Sequence, residues 1–309
     1  MRETCLDQVY QLAKTDPRIV FIGSDLGVGT LRKFKEEMPD RFYMEGISEA
    51  HVVGMAAGLS LEGMIVYVNT ISTFITRRCF EQIAVDVCLH DLNVRLIGNG
   101  GGMVYAPLGP THLAIEDISI LRALPNMTIT AVADADEMRR LMPKTVDHKG
   151  PIYIRLAKGY DPIVTNDNVP FRIGKALPMR EGRDVLLVTT GITLGAAQEA
   201  AKRLSLERIE AAILHMPTIK PLDIESLLDH AAMVRAIVSV EENTIIGGLG
   251  SAVAEVLAEA ALSPTRKFRR LGIPDVFPDH YGSQANLMDH YKINTDQIVS
   301  TVWALLDRG

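Results

Sequence analysis

The sequence predicts an α/β protein of two doubly wound domains, a parallel-sheet domain followed by a smaller α/β domain. Short β-rich runs alternate with longer stretches of helical spacing, the runs are apolar almost throughout, and the alternation lapses once, in mid-chain. Apolar runs of this length bounded by turn residues fit strands covered on both faces, as in a parallel sheet between helices.

In the first domain, "IVFIGSD" (Ile19 to Asp25) and "MIVYVNT" (Met64 to Thr70) read as strands. "NVRLIGNGGG" (Asn93 to Gly102) is a third that breaks into a glycine loop, and "MTITAVAD" (Met127 to Asp134) and "PIYIRLA" (Pro151 to Ala157) are the next two. Helical spacing fills 49–61, 72–89, 116–123 and 134–147. From about Lys158 to Arg183, Pro, Gly, Asp and Asn interrupt every period, so the spacing predicts domains over 1–162 and 183–309 joined by a linker over 163–182. The second series has strands in "DVLLVTTG", "IEAAILHMP" and "RAIVSVEEN". Its helices are expected from about Leu194 to Leu204, in the glycine-opened "GGLGSAVAEVLAEAAL", and from Thr295 to Leu306.

At 309 residues the chain is long enough for two cores, and its 47% hydrophobic and 23% charged content is ordinary for a globular protein. A formal charge of −6 gives no electrostatic reason to expect nucleic acid or an anionic membrane as partner. The densest basic group, "RKFRR" (Arg266 to Arg270), reads as a solvated strand flank. Cys5, Cys79 and Cys88 have no CxxC spacing and cannot all pair, which favours buried thiols in a reducing compartment. The N-terminus has no apolar signal region, and no apolar run reaches the ~18–20 residues of a membrane span; the expected setting is cytoplasmic.

Two glycine clusters invite a nucleotide-binding interpretation. "GNGGG" (Gly98 to Gly102) follows a strand but lacks G-x-G-x-x-G spacing and a following helix. "GGLG" (Gly247 to Gly250) opens a helix whose N-terminal amides could hold an anion. Tight turns with close backbone approach are the favoured reading of both.

The stretch "RFYMEGISEAHVVGMAAGLSLEGMIVYVNTISTF" (residues 41–74) holds the main chemical candidate. Ser48 is the expected N-cap of a helix, and Glu49 then lies in its first turn, where the helix dipole favours a carboxylate by about 0.3–1 kcal/mol. That alone accounts for Glu49. However, Gly54, Ala56, Ala57 and Gly58 follow, a poor set for helix propensity. Small residues there fit close packing against a flat ligand, a second subunit or another helix.

"GISEAHVVGMAAGLSLEG" resembles the pyrimidine-binding domain of the transketolase family of thiamine diphosphate enzymes. "NTISTFITRRCFEQIAVDVCLHDLNVRLI" resembles that family's S-T-F helix and next strand. "GPTHLAIEDISILRALPNMTI" resembles its G-P-T-H-Q-x-x-E-D segment, and "VEENTIIGGLGSAVAEVLAE" and "RLGIPDVFPDHYGSQANL" resemble its C-terminal domain. The resemblance runs through essentially the whole chain, in order, and extends to the C-terminal part of deoxyxylulose-phosphate synthase.

The resemblance implies roles for particular residues. Glu49, preceded by Ser48, would hydrogen-bond the cofactor's aminopyrimidine N1′ and promote the tautomer whose exocyclic nitrogen deprotonates the thiazolium C2. Phe74 would pack on the pyrimidine ring, and Ile71 stands where relatives often carry a second ring. His112 matches a histidine that binds or shuttles protons for substrate oxygens. Arg77, Arg155 and Lys158 lie near expected element ends at the cleft and would bind an anionic substrate group; a surface charge is the alternative for each. Leu108 stands where transketolases usually have an acidic residue, and "GGG" where deoxyxylulose-phosphate synthases have an Arg. A modified or less polar acceptor is therefore expected.

The family's diphosphate and Mg²⁺ (or Ca²⁺) site lies on another domain, marked by G-D-G and a downstream Asn. "GSDLG" (Gly23 to Gly27) is the nearest string here and matches the first strand instead. The expectation is a split enzyme. This chain would be the C-terminal subunit, paired with an N-terminal transketolase subunit that carries the diphosphate and metal site, in a heterotetramer containing a homodimer of this chain. The expected reaction is transfer of a two-carbon ketol unit between sugars. Alternatives are the β subunit of a 2-oxoacid dehydrogenase, a deoxyxylulose-phosphate-synthase-like enzyme, or a non-catalytic regulatory paralogue.

Overall fold

The computed structural model describes residues 1–24, 29, 31–157, 161–165 and 170–307. In chain order its strands are β1 (Ile19–Gly23), β2 (Phe42–Met44), β3 (Ile65–Ile71), β4 (Val94–Asn99), β5 (Thr128–Ala131), β6 (Ile152–Leu156), β7 (Leu177–Arg180), β8 (Val185–Thr189), β9 (Ala211–His215), β10 (Thr218–Lys220), β11 (Ala236–Thr244) and β12 (Lys267–Ile273). They form one sheet of order β10-β5-β6-β4-β3-β1-β2 and a second of order β12-β11-β8-β9-β7. Neighbours are parallel except β10 with β5 and β7 with β9, so each sheet carries one antiparallel edge strand.

The uninterrupted apolar runs have the expected cause. β1, β4, β5, β6, β8 and β9 are buried along their whole length. One face of the first sheet packs residues of the helices Arg2–Thr15 and Ala135–Asp147, and the other packs Val52, Val53 and Ala56 of the helix Glu49–Leu61 with Ile75, Ile83 and Val87. The second sheet has its own two cores, one under the helices Thr193–Leu206 and Thr295–Leu305. This is the two-sided burial that makes parallel strands read as continuous apolar segments.

Several elements differ from the sequence expectation. The stretch 72–89 is not one helix: it forms Ser72–Arg77, a short turn Phe80–Gln82 and a wide π-type turn Ile83–Cys88. All three share helical spacing, which does not distinguish i+4 from i+5 closure. "RKFRR" is not a strand flank, because Lys267–Ile273 is itself the edge strand β12, with Lys267, Arg269 and Arg270 exposed. β7 lies within the stretch that shows no period, and β10, which follows β8, the helix Thr193–Leu206 and β9, hydrogen-bonds into the first sheet.

The two sheets are further tied by a buried His215–Glu137 contact of 3.2 Å and by Thr244 N–H donating to the Ile115 carbonyl at 2.7 Å. Among the described residues no helix is long and apolar enough to cross a membrane. The three cysteines are free and buried, and burial pushes the Cys5 and Cys79 thiols up to about 12 and Cys88 to about 11.

Candidate active site

The candidate residues come from segments that follow the carboxyl ends of β2, β3 and β4, the side on which parallel sheets bind ligands. Glu49 follows β2 and opens the helix Glu49–Leu61, where it is 5% exposed. Ser48 precedes the helix as expected, but its hydroxyl does not cap it. The Oγ donates backwards to the Glu45 carbonyl at 2.9 Å, leaving the first-turn amides without a side-chain cap.

Glu49 is held instead by a residue that sequence reasoning passed over. Arg78 Nη1 donates to both carboxylate oxygens of Glu49, at 3.3 and 3.2 Å. The same guanidinium lies over the Phe74 ring, 3.9 Å from its centroid, and the Phe74 ring meets His112 edge-on at 5.2 Å. Glu49, Arg78, Phe74 and His112 therefore form one contiguous group drawn from three separate segments of the chain. The His112 Nδ1 is in turn 2.9 Å from the Thr111 hydroxyl. Ile71, the last residue of β3, is half-buried just before the helix that carries Phe74.

The two expected substrate cations that are described are both engaged within the chain. Arg77 pairs with Glu116 through Nε and Nη2, and its Nη2 also donates to the Leu113 carbonyl at 3.0 Å. Arg155 is 7% exposed; its Nε donates to Asp117 at 2.8 Å, and its Nη2 to the carbonyls of Ala114 and Glu242. Glu116 and Asp117 are the "ED" of the GPTH segment, so both arginines clamp the loop that bears His112. The consecutive carboxylates were the available signal, since two buried or half-buried acids need cations nearby. Lys158 lies outside the described residues, as do Asp25, Leu26 and Gly27 of "GSDLG".

The glycine clusters are tight turns filled by the chain's own carboxylates. Gly102 has φ +69° and sits against Glu242, which accepts from Met103 N–H at 2.8 Å and from Gln284 at 2.7 Å. Glu241 accepts from the amides of Leu249 and Gly250, at 2.7 and 2.8 Å, and a side chain at Gly248 would collide with it. Burial pushes both carboxyls up to about 7 against the pull of these donors and of Arg155. Gly54 and Gly58 differ: a methyl group added at Gly58 would meet nothing within 4 Å, and one at Gly54 only Asp86 at 4.0 Å. Packing within the chain does not require those two glycines.

Residues 1–160 match the pyrimidine-binding domain of transketolase and residues 174–298 the transketolase C-terminal domain. A 6-deoxy-6-sulfo-D-fructose transketolase subunit from a Clostridium strain is 35% identical over 309 residues, covering 100% of this chain and 95% of the relative. The 1-deoxy-D-xylulose-5-phosphate synthase 1 of Geobacter sulfurreducens is 38% identical over 305 residues, which are 97% of this chain but 47% of the synthase. A solved split-gene transketolase, described as an inactive β4 tetramer, superposes with a TM-score of 0.89 at 36% identity, over 99% of this chain and 97% of its own. The chain thus belongs to the transketolase family, as a subunit that carries the pyrimidine-binding and C-terminal domains.

Proposed function

We propose that this chain is the pyrimidine-side subunit of a split, thiamine-diphosphate-dependent transketolase. With a diphosphate-binding partner subunit it would transfer a two-carbon ketol unit from a ketose to an aldehyde acceptor. The observation that carries this is the state of Glu49, a carboxylate 5% exposed whose partner in the chain is the half-exposed Arg78. Buried carboxylates are ordinarily held by buried donors, as Glu241 is here. Glu49 is held by a group that can return to water.

The residues fit an aminopyrimidine. A flat ring needs an aromatic face and a carboxyl out of water, and Phe74 and Glu49, both in contact with Arg78, supply these. Thiamine diphosphate, when bound, supplies a weakly acidic thiazolium C2 activated through its aminopyrimidine. Glu49 would share a proton with the ring nitrogen N1′, and its burial keeps water from competing for that proton. Phe74 would fix the plane of the ring, with Ile71 and Ser48 bounding the seat. His112, steadied by Thr111 and set edge-on to Phe74, would exchange a proton or hydrogen bond with a substrate oxygen. Arg77 and Arg155 would act by fixing the His112 loop, while Lys158 is left as a candidate contact to an anionic substrate group. Leu108, 52% exposed on that loop, supports an acceptor with a less polar end.

The partner subunit would hold the diphosphate and its Mg²⁺ or Ca²⁺. The open glycines Gly54 and Gly58, with Leu61, Val85 and Leu89 exposed on the same helical layer, support association with a second copy of this chain or with that partner. The free buried cysteines support a cytoplasmic setting.

The test is Glu49→Gln in the assembled complex. The rate at which the bound cofactor's C2 proton exchanges with deuterium should fall by about 10²–10⁴-fold, with the unfolding midpoint unchanged. Exchange at the wild-type rate would remove Glu49 from the chemistry.

A further inference from the structure

Arg77 and Arg78 are adjacent in sequence and differ in freedom. The Arg77 guanidinium is fixed by Glu116 and by the Leu113 carbonyl, and the side chain is 31% exposed. The Arg78 side chain is 50% exposed, and its contacts among the described residues are the Glu49 carboxylate and the Phe74 ring. A guanidinium carbon 3.9 Å from a ring centroid is in stacking contact, so no second flat group fits between them. One group thus covers both the aromatic face and the carboxylate oxygens that a pyrimidine ring would use.

We infer that Arg78 is a latch on the pyrimidine seat, closing it in the cofactor-free chain and swinging into solvent when the cofactor enters. The inference rests on the function proposed above. The geometry favours departure: Arg78 occupies both oxygens of Glu49, so neither can meet N1′ of an entering ring until the guanidinium leaves. Arg78 itself leaves easily, because its half-exposed guanidinium regains water, while the buried Glu49 needs the entering ring to take its place. The latch also gives the lone subunit a reason to keep Glu49 buried, since the carboxylate has a counter-charge until the cofactor replaces it.

The experiment is calorimetric titration of thiamine diphosphate with Mg²⁺ into the assembled complex, comparing wild type with Arg78→Ala and using inorganic diphosphate with Mg²⁺ as control. The variant should bind thiamine diphosphate about tenfold more tightly, equivalent to about 1.4 kcal/mol, with diphosphate affinity unchanged. Arg78→Lys, which keeps the charge and loses the planar stack, should fall between the two. Equal or weaker binding of thiamine diphosphate by Arg78→Ala would overturn the latch while leaving the functional proposal standing. Equal tightening toward inorganic diphosphate would also overturn it, because the effect would not lie at the pyrimidine seat. If neither protein binds thiamine diphosphate, the functional proposal fails and the latch with it.

Discussion

Glu49 and Glu241 both lie beside helix N-termini, and the fold uses them oppositely. Glu241, in the buried strand β11, accepts two amides at the start of the helix Leu249–Ala260 and is fully buried. It fills the anion site that the "GGLG" turn would otherwise offer. Glu49 opens the helix Glu49–Leu61 and takes its hydrogen bonds from the half-exposed Arg78. The dipole argument applies to both helices alike. What separates a structural carboxylate from a candidate catalytic one is whether the chain itself saturates it. Glu241 is saturated by backbone that cannot leave, and Glu49 by a side chain that can.

The strongest way to break this comparison is to remove Glu241. Glu241→Ala leaves two buried helix amides without an acceptor and should cost about 2–3 kcal/mol, read as a lower urea midpoint. An unchanged midpoint would show that Glu241 is not structural and that the two glutamates do not differ as described.

A smaller effect is expected from pH. Glu242 has its carboxyl raised by burial from 4.5 to about 7, so between those values the native state keeps a proton that the unfolded chain gives up. Stability should therefore fall as pH rises through that window, by about 1–2 kcal/mol from about pH 5 to about pH 7, with Glu241 contributing in the same direction. Glu242→Gln retains an oxygen for Met103 and Gln284 and should flatten part of that slope. An identical slope in the variant would assign the effect to other groups.

Phe74→Ala sharpens the Glu49 side of the comparison and carries the smallest effect. Phe74 is only half-buried, so the assembled complex should lose about tenfold in cofactor affinity while its unfolding midpoint holds. Lost stability with unchanged affinity would make Phe74 a core residue.

Much of this was legible from local pattern. The helix Glu49–Leu61 has the bounds that its spacing predicts, and the apolar runs became strands buried on both faces. The misses share a physical cause, because each depends on a partner distant in sequence. β10 is three residues long, too short for any period, and exists because Thr218 and Lys220 pair with β5. Arg77 and Arg78 are chemically identical neighbours, and which of them faces Glu49 depends on the turn of about 100° between successive helical residues, which Arg78 still follows. The buried role of Arg155 depends on Asp117, and that of the glycine turns on Glu241 and Glu242. Sequence identified the residue types of the site; tertiary pairing decided which were free to act.

A buried carboxylate held by a half-exposed side chain, in a chain that matches one side of a two-sided cofactor site, supports the proposal that chemistry here requires a second polypeptide. The most direct test is a ketol-transfer assay with thiamine diphosphate and Mg²⁺, run on the purified chain alone and on the chain assembled with its diphosphate-binding partner. The assembled complex should transfer the ketol unit, and the lone chain should show none above background. Turnover by the lone chain at the rate of the complex would contradict the proposal.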